Sequence, residues 1–463
     1  MNRTHKILRR LSVLLLLIFV LPWITAGCSP AEKDLGLSQA EQAYNKGNYT
    51  EAMSLVEQVL KKNPDALPAL QLKTQAMVSL NRIADALDHQ TRIEKKYPKL
   101  AAPLLQEIII SIIKTSLKNE NYFVRSAAVK ALGEMGDVNF LPLIIPSMRD
   151  KEIFVRFFTV ESFGQLEGPD FLKLVMASGQ DPSSMVRVAA VKVLAQLEKT
   201  HTGVETNTLL AIFAKDSDPT VRLLALAAMS KNGDEAAFIK IVSEIKKLPQ
   251  GAQVSAVSAL GRSKNETAIP LIKAYSTHKD HMIRMYAREA MGLIASDAFH
   301  PELLKGLEDT DSAVRGASAT SLGKLGNPQA IPLLEKYLQD ESPMVRLSAA
   351  EGLKRLGQNH PTYYEKALNH PDYGVRHFAV SSLRRTWGKE GLPLLRLALK
   401  DKAPRVRTAA VRAIGEMGGA ESLELLKNSM KDPDLAVRTY AAGNTGRLIN
   451  KIAGLPLKNL KSD

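Results

Sequence analysis

From Asn121 onward the chain repeats one arrangement of apolar and polar positions. Val124, Val155, Val186, Val221, Ala252, Ile283, Val314, Val345, Val375, Val406 and Val437 follow one another at 31 residues, with one spacing of 35 and one of 30. Four residues beyond each stands a small side chain, from Ala128 to Ala441. Eight beyond stands a large apolar one, from Leu132 to Ile414, with Thr445 as the polar exception. Positions i, i+4 and i+8 share a helix face, so each unit predicts an amphipathic helix of about three turns. Gly follows at the ninth position in seven units, among them Gly133, Gly261 and Gly446. A helical Gly costs roughly 1 kcal/mol against Ala, so its recurrence points to a tight contact or a helix end. A polar turn then leads to a second apolar run, clearest in Phe140–Met148, Ala330–Leu338 and Gly391–Leu399, with Pro in its first turn. Eleven such units over 119–450 predict a stacked array of helix pairs, an all-α solenoid.

Charge follows the same register. The residue after the apolar one is Arg125, Arg156, Arg187, Arg222, Arg284, Arg315, Arg346, Arg376, Arg407 or Arg438, and Gln253 in the remaining unit. Asp150, Asp181, Asp216, Asp309, Asp340, Asp401 and Asp432 each stand five residues before a Val. An acid there is expected to cap the next helix and to lie near its Arg. Taken together, the unit resembles the short HEAT repeat of the phycobilisome-lyase type, over about Asn119 to Asn450. The resemblance implies that these Arg and Asp side chains form a ladder between neighbouring repeats. Two units break the pattern. Around Ala252 the Arg is lost and Lys247 replaces the Asp, either as a hinge or as drift of the repeat. Around Val375, His370 replaces the Asp, and Tyr363, Tyr364, Arg384, Arg385 and Trp387 cluster. Exposed Tyr, Arg and Trp anchor interfaces, so a partner site is expected there.

Between Leu35 and Leu100 the period is 34: Gly47, Tyr49, Ala52 and Pro64 map onto Asn81, Ile83, Ala86 and Pro98. This resembles two TPR units over 36–100, the first divergent because it lacks the usual Trp and Leu-Gly of its first helix. The resemblance places Glu41, Tyr44, Asn45, Gln71, Gln75 and Ser79 on a concave face. They could hold a peptide or simply be solvated. The apolar stretch over 101–118 predicts a joining helix that caps the TPR pair and seeds the array.

The first ten residues are positive, Leu11 to Ile24 are apolar, and the run ends in Ile24-Thr25-Ala26-Gly27-Cys28. That is the layout of an export signal, over 1–27. The ending resembles the lipobox of bacterial lipoproteins, with Thr25 where Leu is usual. The resemblance implies lipid attachment at Cys28, which is the sole cysteine, followed by a linker over 28–35. Several acyl chains anchor stably where one binds marginally. Ser29 resembles the residue that sends such proteins to the outer membrane. A tail over 451–463 ends the chain.

Formal charge is +14, of which the first 27 residues supply +4. Lysines and acids are interspersed, and no aromatic-basic motif of a known nucleic-acid reader occurs, so no nucleic-acid role is expected. Aromatic residues make up 5%, as suits aliphatic packing between stacked helices. His278 and His281 in HKDH are expected to lie in a turn rather than hold zinc, which would need further ligands. No P-loop, G-x-S-x-G or H-E-x-x-H motif is present, and no cofactor is expected. The reading is an envelope lipoprotein facing the periplasm: a non-catalytic scaffold whose array runs on the order of 100 Å. It would present a concave surface built from the second helices to protein partners. The alternatives are a carrier of an envelope polymer or small ligand, and an enzyme like the bilin lyases and alkyl-base DNA glycosylases that share such arrays.

Overall fold

The computed structural model describes residues 35–166, 171–197 and 203–453. The segment expected to be an export signal, Cys28, most of the expected linker and the tail beyond Ala453 fall outside them. Among the described residues all regular structure is helical. Two compact units are present, one of residues up to Ile108 with the end of the last helix, the other Ile109–Ile449.

In the first unit, α1 (Leu35–Asn45), α2 (Tyr49–Lys62), α3 (Leu67–Ser79) and α4 (Ile83–Lys96) pack in succession. Ala40, Val56, Val59, Ala69 and Leu72 form their core. The left-handed Gly47 and Asn81 turn the chain at the two positions that the 34-residue period aligns. α5 (Pro98–Leu117) begins in this unit and ends in the second.

The second unit contains eleven repeats. Their first helices begin at Tyr122, Ile153, Ser184, Pro219, Gln250, His281, Ser312, Pro343, Tyr373, Pro404 and Leu435, which reproduces the predicted register. The Val and the residues four and eight beyond it are buried almost throughout, as the helical pattern requires. Thr445 is no exception to burial. Its hydroxyl donates to the Ala441 carbonyl at 2.7 Å, which satisfies the one polar group the core admits there.

Consecutive first helices lie close enough that some joints admit no side chain. A Cβ on Gly261 would stand 2.6 Å from the Ala290 Cα, so the glycine at the ninth position marks a helix contact rather than a helix end. The second helices are mostly shorter (Ile269–Tyr275, Ile331–Tyr337, Leu392–Ala398) and touch one another far less. In a stack of pairs, the layer with the closer spacing lies on the inside of the curve. The first helices therefore form the inner wall, not the second helices as expected from sequence.

The array also closes. Gly443 in repeat 11 abuts Ala131 in repeat 1, and Gly446 abuts Met135, so the two helices run in the same direction, as they do at other joints. Glu134 of repeat 1 accepts from Asn444 Nδ2 at 3.0 Å and pairs with Arg412 of repeat 10 at 3.4 Å. The curved array expected from sequence closes into a ring. At the Gly261 joint, the ninth position of one repeat meets the seventh of the next. At the closing joint the sixth meets the seventh, a slip of three residues, or about 4.5 Å along the helix. Repeat 11 has no second helix among the described residues. The C-terminal half of α5 packs on it instead, with Ser116 Oγ and Thr439 Oγ1 2.7 Å apart and buried. The segment expected to seed the array also completes its last repeat.

The repeat at Ala252 folds like the others, as Gln250–Ser263. Gln253 Nε2 donates to the Leu248 carbonyl, standing in for part of the missing Arg, and Arg222 turns to Glu244 at 3.0 Å. Packing passes through this unit without a break.

Candidate functional site

The arginine ladder is built from two contacts per repeat. Arg125 reaches the Asp150 carboxylate with Nε at 2.7 Å and Nη2 at 2.9 Å, and its Nη1 donates to the Asn119 and Glu120 carbonyls before its own helix. The geometry recurs in Arg156–Asp181, Arg187–Asp216, Arg284–Asp309, Arg315–Asp340, Arg376–Asp401 and Arg407–Asp432. Each Asp thus meets the Arg of the preceding repeat with its carboxylate and the Arg of its own repeat with its carbonyl, as Asp150 does with Arg156. It does not cap the helix directly. Asp150 accepts from the Glu152 N–H, and Glu152 is the N-cap residue. Burial opposes charge on Asp150 and Asp401, but Arg125 and Arg376 outweigh it and hold both below the ordinary carboxylate range.

Four joints depart from this. At one, Arg222 turns to Glu244 because Lys247 holds the Asp position. His278 and His370 occupy the Asp position, and each accepts through Nδ1 from the N–H two residues on, at 3.0 and 3.1 Å. This accounts for the HKDH motif. Arg346 keeps only its carbonyl contacts, to Asp340 and Glu341. At the closing joint Asn119 stands where Asp would, and accepts from Asn121 N–H at 2.9 Å. Arg438 donates to the Asp432 carbonyl, while its buried Nε has no hydrogen-bond partner among the described residues.

The residues expected to form a partner site near Val375 are mostly structural. Tyr364 is wholly buried, with its hydroxyl 3.1 Å from Ser382 Oγ, and Trp387 is 8% exposed and packs edge-on against it. Neither offers an exposed anchor. Arg385 pairs with the fully buried Glu351 at 2.5 Å, and Arg384 pairs with Glu416 at 3.0 Å. Tyr363 is half-buried and accepts from Gln339. In the first unit, Tyr44 OH lies 3.1 Å from Ser79 Oγ, and Gln75 donates to Glu107 on α5 at 3.2 Å, so side chains of α1, α3 and α5 line one face. Asn45 is exposed at the end of α1, and Gln71 is half-buried on α3.

A stronger surface lies on the inner wall of repeats 1 to 3, in residues not singled out from sequence. Phe123, Phe154 and Met185 each precede the repeat Val and are 48%, 46% and 42% exposed. Tyr122 stacks between Phe123 and Phe154, with centroids 4.3 and 6.1 Å away, and Phe157 meets Phe158 edge-on. Cations sit over three of these rings: Lys130 on Phe158 at 4.8 Å, Lys192 on Phe157 at 5.2 Å, and Arg405 of repeat 10 on Phe123 at 5.4 Å. The signal was present in Tyr122-Phe123 and in Phe154-Val155-Arg156-Phe157-Phe158. Six aromatics, one of them the buried Phe140, occur in the 37 residues from Tyr122 to Phe158, in a chain that is 5% aromatic overall. Beside the patch is a polar cavity of about 430 Å³, lined by residues that include Lys130, Glu134, Gln165, Arg412, Asn444 and Arg447. Burial and then Arg412 depress the Lys130 pKa. His377 is depressed by burial and then by Arg405, Arg384 and Arg412. Positive charge from repeats 9, 10 and 1 therefore converges on this stretch of wall.

A family model for HEAT repeats matches residues 111–195, 300–364 and 361–444, so the solenoid carries HEAT repeats. No curated protein matches in sequence. Among solved structures, the chain is similar to the CpcE–CpcF complex of phycocyanin lyase from Nostoc sp. PCC7120. Identity is 21%, over 52% of this chain and 94% of that one, with a TM-score of 0.36. Human deoxyhypusine hydroxylase in complex with glycerol aligns at 18% identity, over 62% and 98% of the two chains, with a TM-score of 0.27.

Proposed function

We propose that this chain is a non-catalytic scaffold of the bacterial cell envelope, tethered through lipid on Cys28 and holding a protein partner against its inner wall. The observation that carries the reading is the row of exposed apolar side chains immediately before the repeat Val. Phe123, Phe154, Met185, Met282 and Met344 are each 38–48% exposed, in a register where the next residue is core. Apolar groups presented by successive rigid helices supply the anchors that dominate binding energy, and charged residues around them set orientation and selectivity. HEAT-repeat solenoids commonly serve protein interactions, and the family model supports that class of role. No helix among the described residues is long and apolar enough to cross a membrane.

The test is site-specific photo-crosslinking in intact cells, with benzoylphenylalanine at Met282 or Met344 on the inner wall and at Ile239 on a second helix. The reading expects one defined protein adduct from the inner positions and none from Ile239. Adducts only from Ile239, or none at any position, would overturn it. Radiolabelled palmitate incorporation in the native chain and in Cys28→Ser tests the tether separately.

A further inference from the structure

We infer that the inner wall of repeats 1 to 3 is the docking surface for an acidic amphipathic peptide segment, with apolar anchors seated on Phe123, Phe154 and Met185. This inference rests on the scaffold reading and names the chemistry of the partner.

The apolar half of the argument is spacing. The three anchors occupy the same position in consecutive repeats, and stacked helices lie about 8–10 Å apart. Two turns of an α-helix advance about 10.5 Å. A helical segment crossing the repeats, with apolar residues at i and i+7, would therefore place one anchor per repeat. Tyr122, Phe157 and Phe158 extend the floor between them, all half-buried.

The charged half is an imbalance. Lys130 and Lys192 share one carboxylate, Glu161, at 3.8 and 3.9 Å. Arg405 is exposed and lies over Phe123, with no carboxylate in reach among the described residues. Arg412 and Arg384 are each matched, by Glu134 and Glu416. The uncompensated charge on the patch is therefore positive, and it stands beside apolar surface, the arrangement that an acidic amphipathic segment complements. A nucleic acid fits less well. The rings it would stack on are already faced by the protein's own cations, and Glu161, Glu134 and Glu416 interrupt any continuous track for phosphates.

The experiment uses the full chain and three fluorescent probes: a 21-residue helical peptide with Leu at i, i+3 and i+7 and Glu on the opposite face, the same peptide with Lys for Glu, and a 20-nucleotide oligo-dT. Anisotropy is measured at two salt concentrations, and vesicles containing phosphatidylglycerol are added as competitor. The acidic peptide is expected to bind at least tenfold tighter than the other two probes and to weaken as salt rises. Phe123→Ala/Phe154→Ala and, separately, Arg405→Glu should each lose at least tenfold while their melting temperatures stay within a few degrees of the parent. Equal or tighter binding of oligo-dT, displacement by the vesicles, or acidic-peptide binding unchanged in both variants would overturn the inference. Failure here with a protein adduct still formed at Met282 or Met344 would refute the acidic-peptide assignment alone. Loss of both would remove the scaffold reading as well.

Discussion

Ser116 and Thr439, 323 positions apart in the chain, face each other through buried hydroxyl oxygens 2.7 Å apart. One hydroxyl donates to the other, and the accepting one donates to a carbonyl one turn back on its own helix, Ile112 for Ser116 or Leu435 for Thr439. The pair joins α5 to repeat 11 where the chain itself provides no link. A double-mutant cycle with Ser116→Ala and Thr439→Val should give a coupling of about 1 kcal/mol in urea unfolding, the usual net worth of one hydrogen bond. Coupling within error of zero would mean that the ring does not close in solution.

The closing joint has an arginine without its acid. Asn119 makes the same backbone contact as the ladder aspartates, and Arg438 keeps a buried Nε with no partner among the described residues. Asn119→Asp should supply the missing carboxylate and raise stability by roughly 1–3 kcal/mol, as a charged hydrogen bond does. A melting temperature that is unchanged or lower would show that Arg438 does not reach across the joint.

Acid should affect the two units at different pH. His89 in α4 is buried against Thr74, and burial, followed by Lys73 and Arg92, lowers its pKa to about 4. A depressed folded value means that stability is full above the ordinary His value near 6.5 and is lost as pH falls towards 4, amounting to about 3 kcal/mol. The ladder carboxylates Asp150, Asp216, Asp309, Asp340 and Asp401 are also lowered. Their contribution holds down to the ordinary carboxylate value near 3.9 and fails only below it. Hydrogen exchange should therefore accelerate between about pH 6 and 4 in α3 and α4, and locally around His377 in repeat 9, while the other repeat helices stay protected. His89→Gln should abolish that early phase in α3 and α4. Equal acceleration in both units would contradict this assignment.

Trp387→Ala should destabilise the ring by about 3–5 kcal/mol, because it opens a cavity beside Tyr364. Arg385→Ala should cost about 3 kcal/mol by leaving the buried Glu351 with Arg355, at 3.4 Å, as its remaining cation. Thermal unfolding tests both. A variant that keeps its stability and loses only partner capture would restore these residues as an interface.

The repeat was legible because its signal is local: core positions, rung positions and the inter-helix glycine all fall within one unit of the sequence. Closure was not, because it depends on small increments of curvature summed over eleven joints, and no single residue states the total. The inner wall was assigned to the wrong helices for a related reason. Amphipathicity tells which face is buried but not which layer is spaced more tightly, and the close approach of Gly261 to Ala290 decides that. Trp387 and Tyr364 were misjudged because an aromatic that fills the place of a lost glycine looks in sequence like an added surface group. Phe154, Phe157 and Phe158 were passed over because the repeat already explained Val155 and Arg156 between them.

The way α5 completes repeat 11 sets an order of events during synthesis. Ribosomes deliver the N-terminal part first, so the half-helix ending at Leu117 must wait, with its apolar face uncovered, until Thr439 has emerged. Every other joint can form as its second member appears. A chain cut short within the array, however well its finished repeats had stacked, would be left with two bare ends, and the α5 surface around Ser116 would lack its cover. Full length is thereby made a condition of burial, and a protease or chaperone that reads exposed apolar surface could tell a finished molecule from an unfinished one without reading anything else.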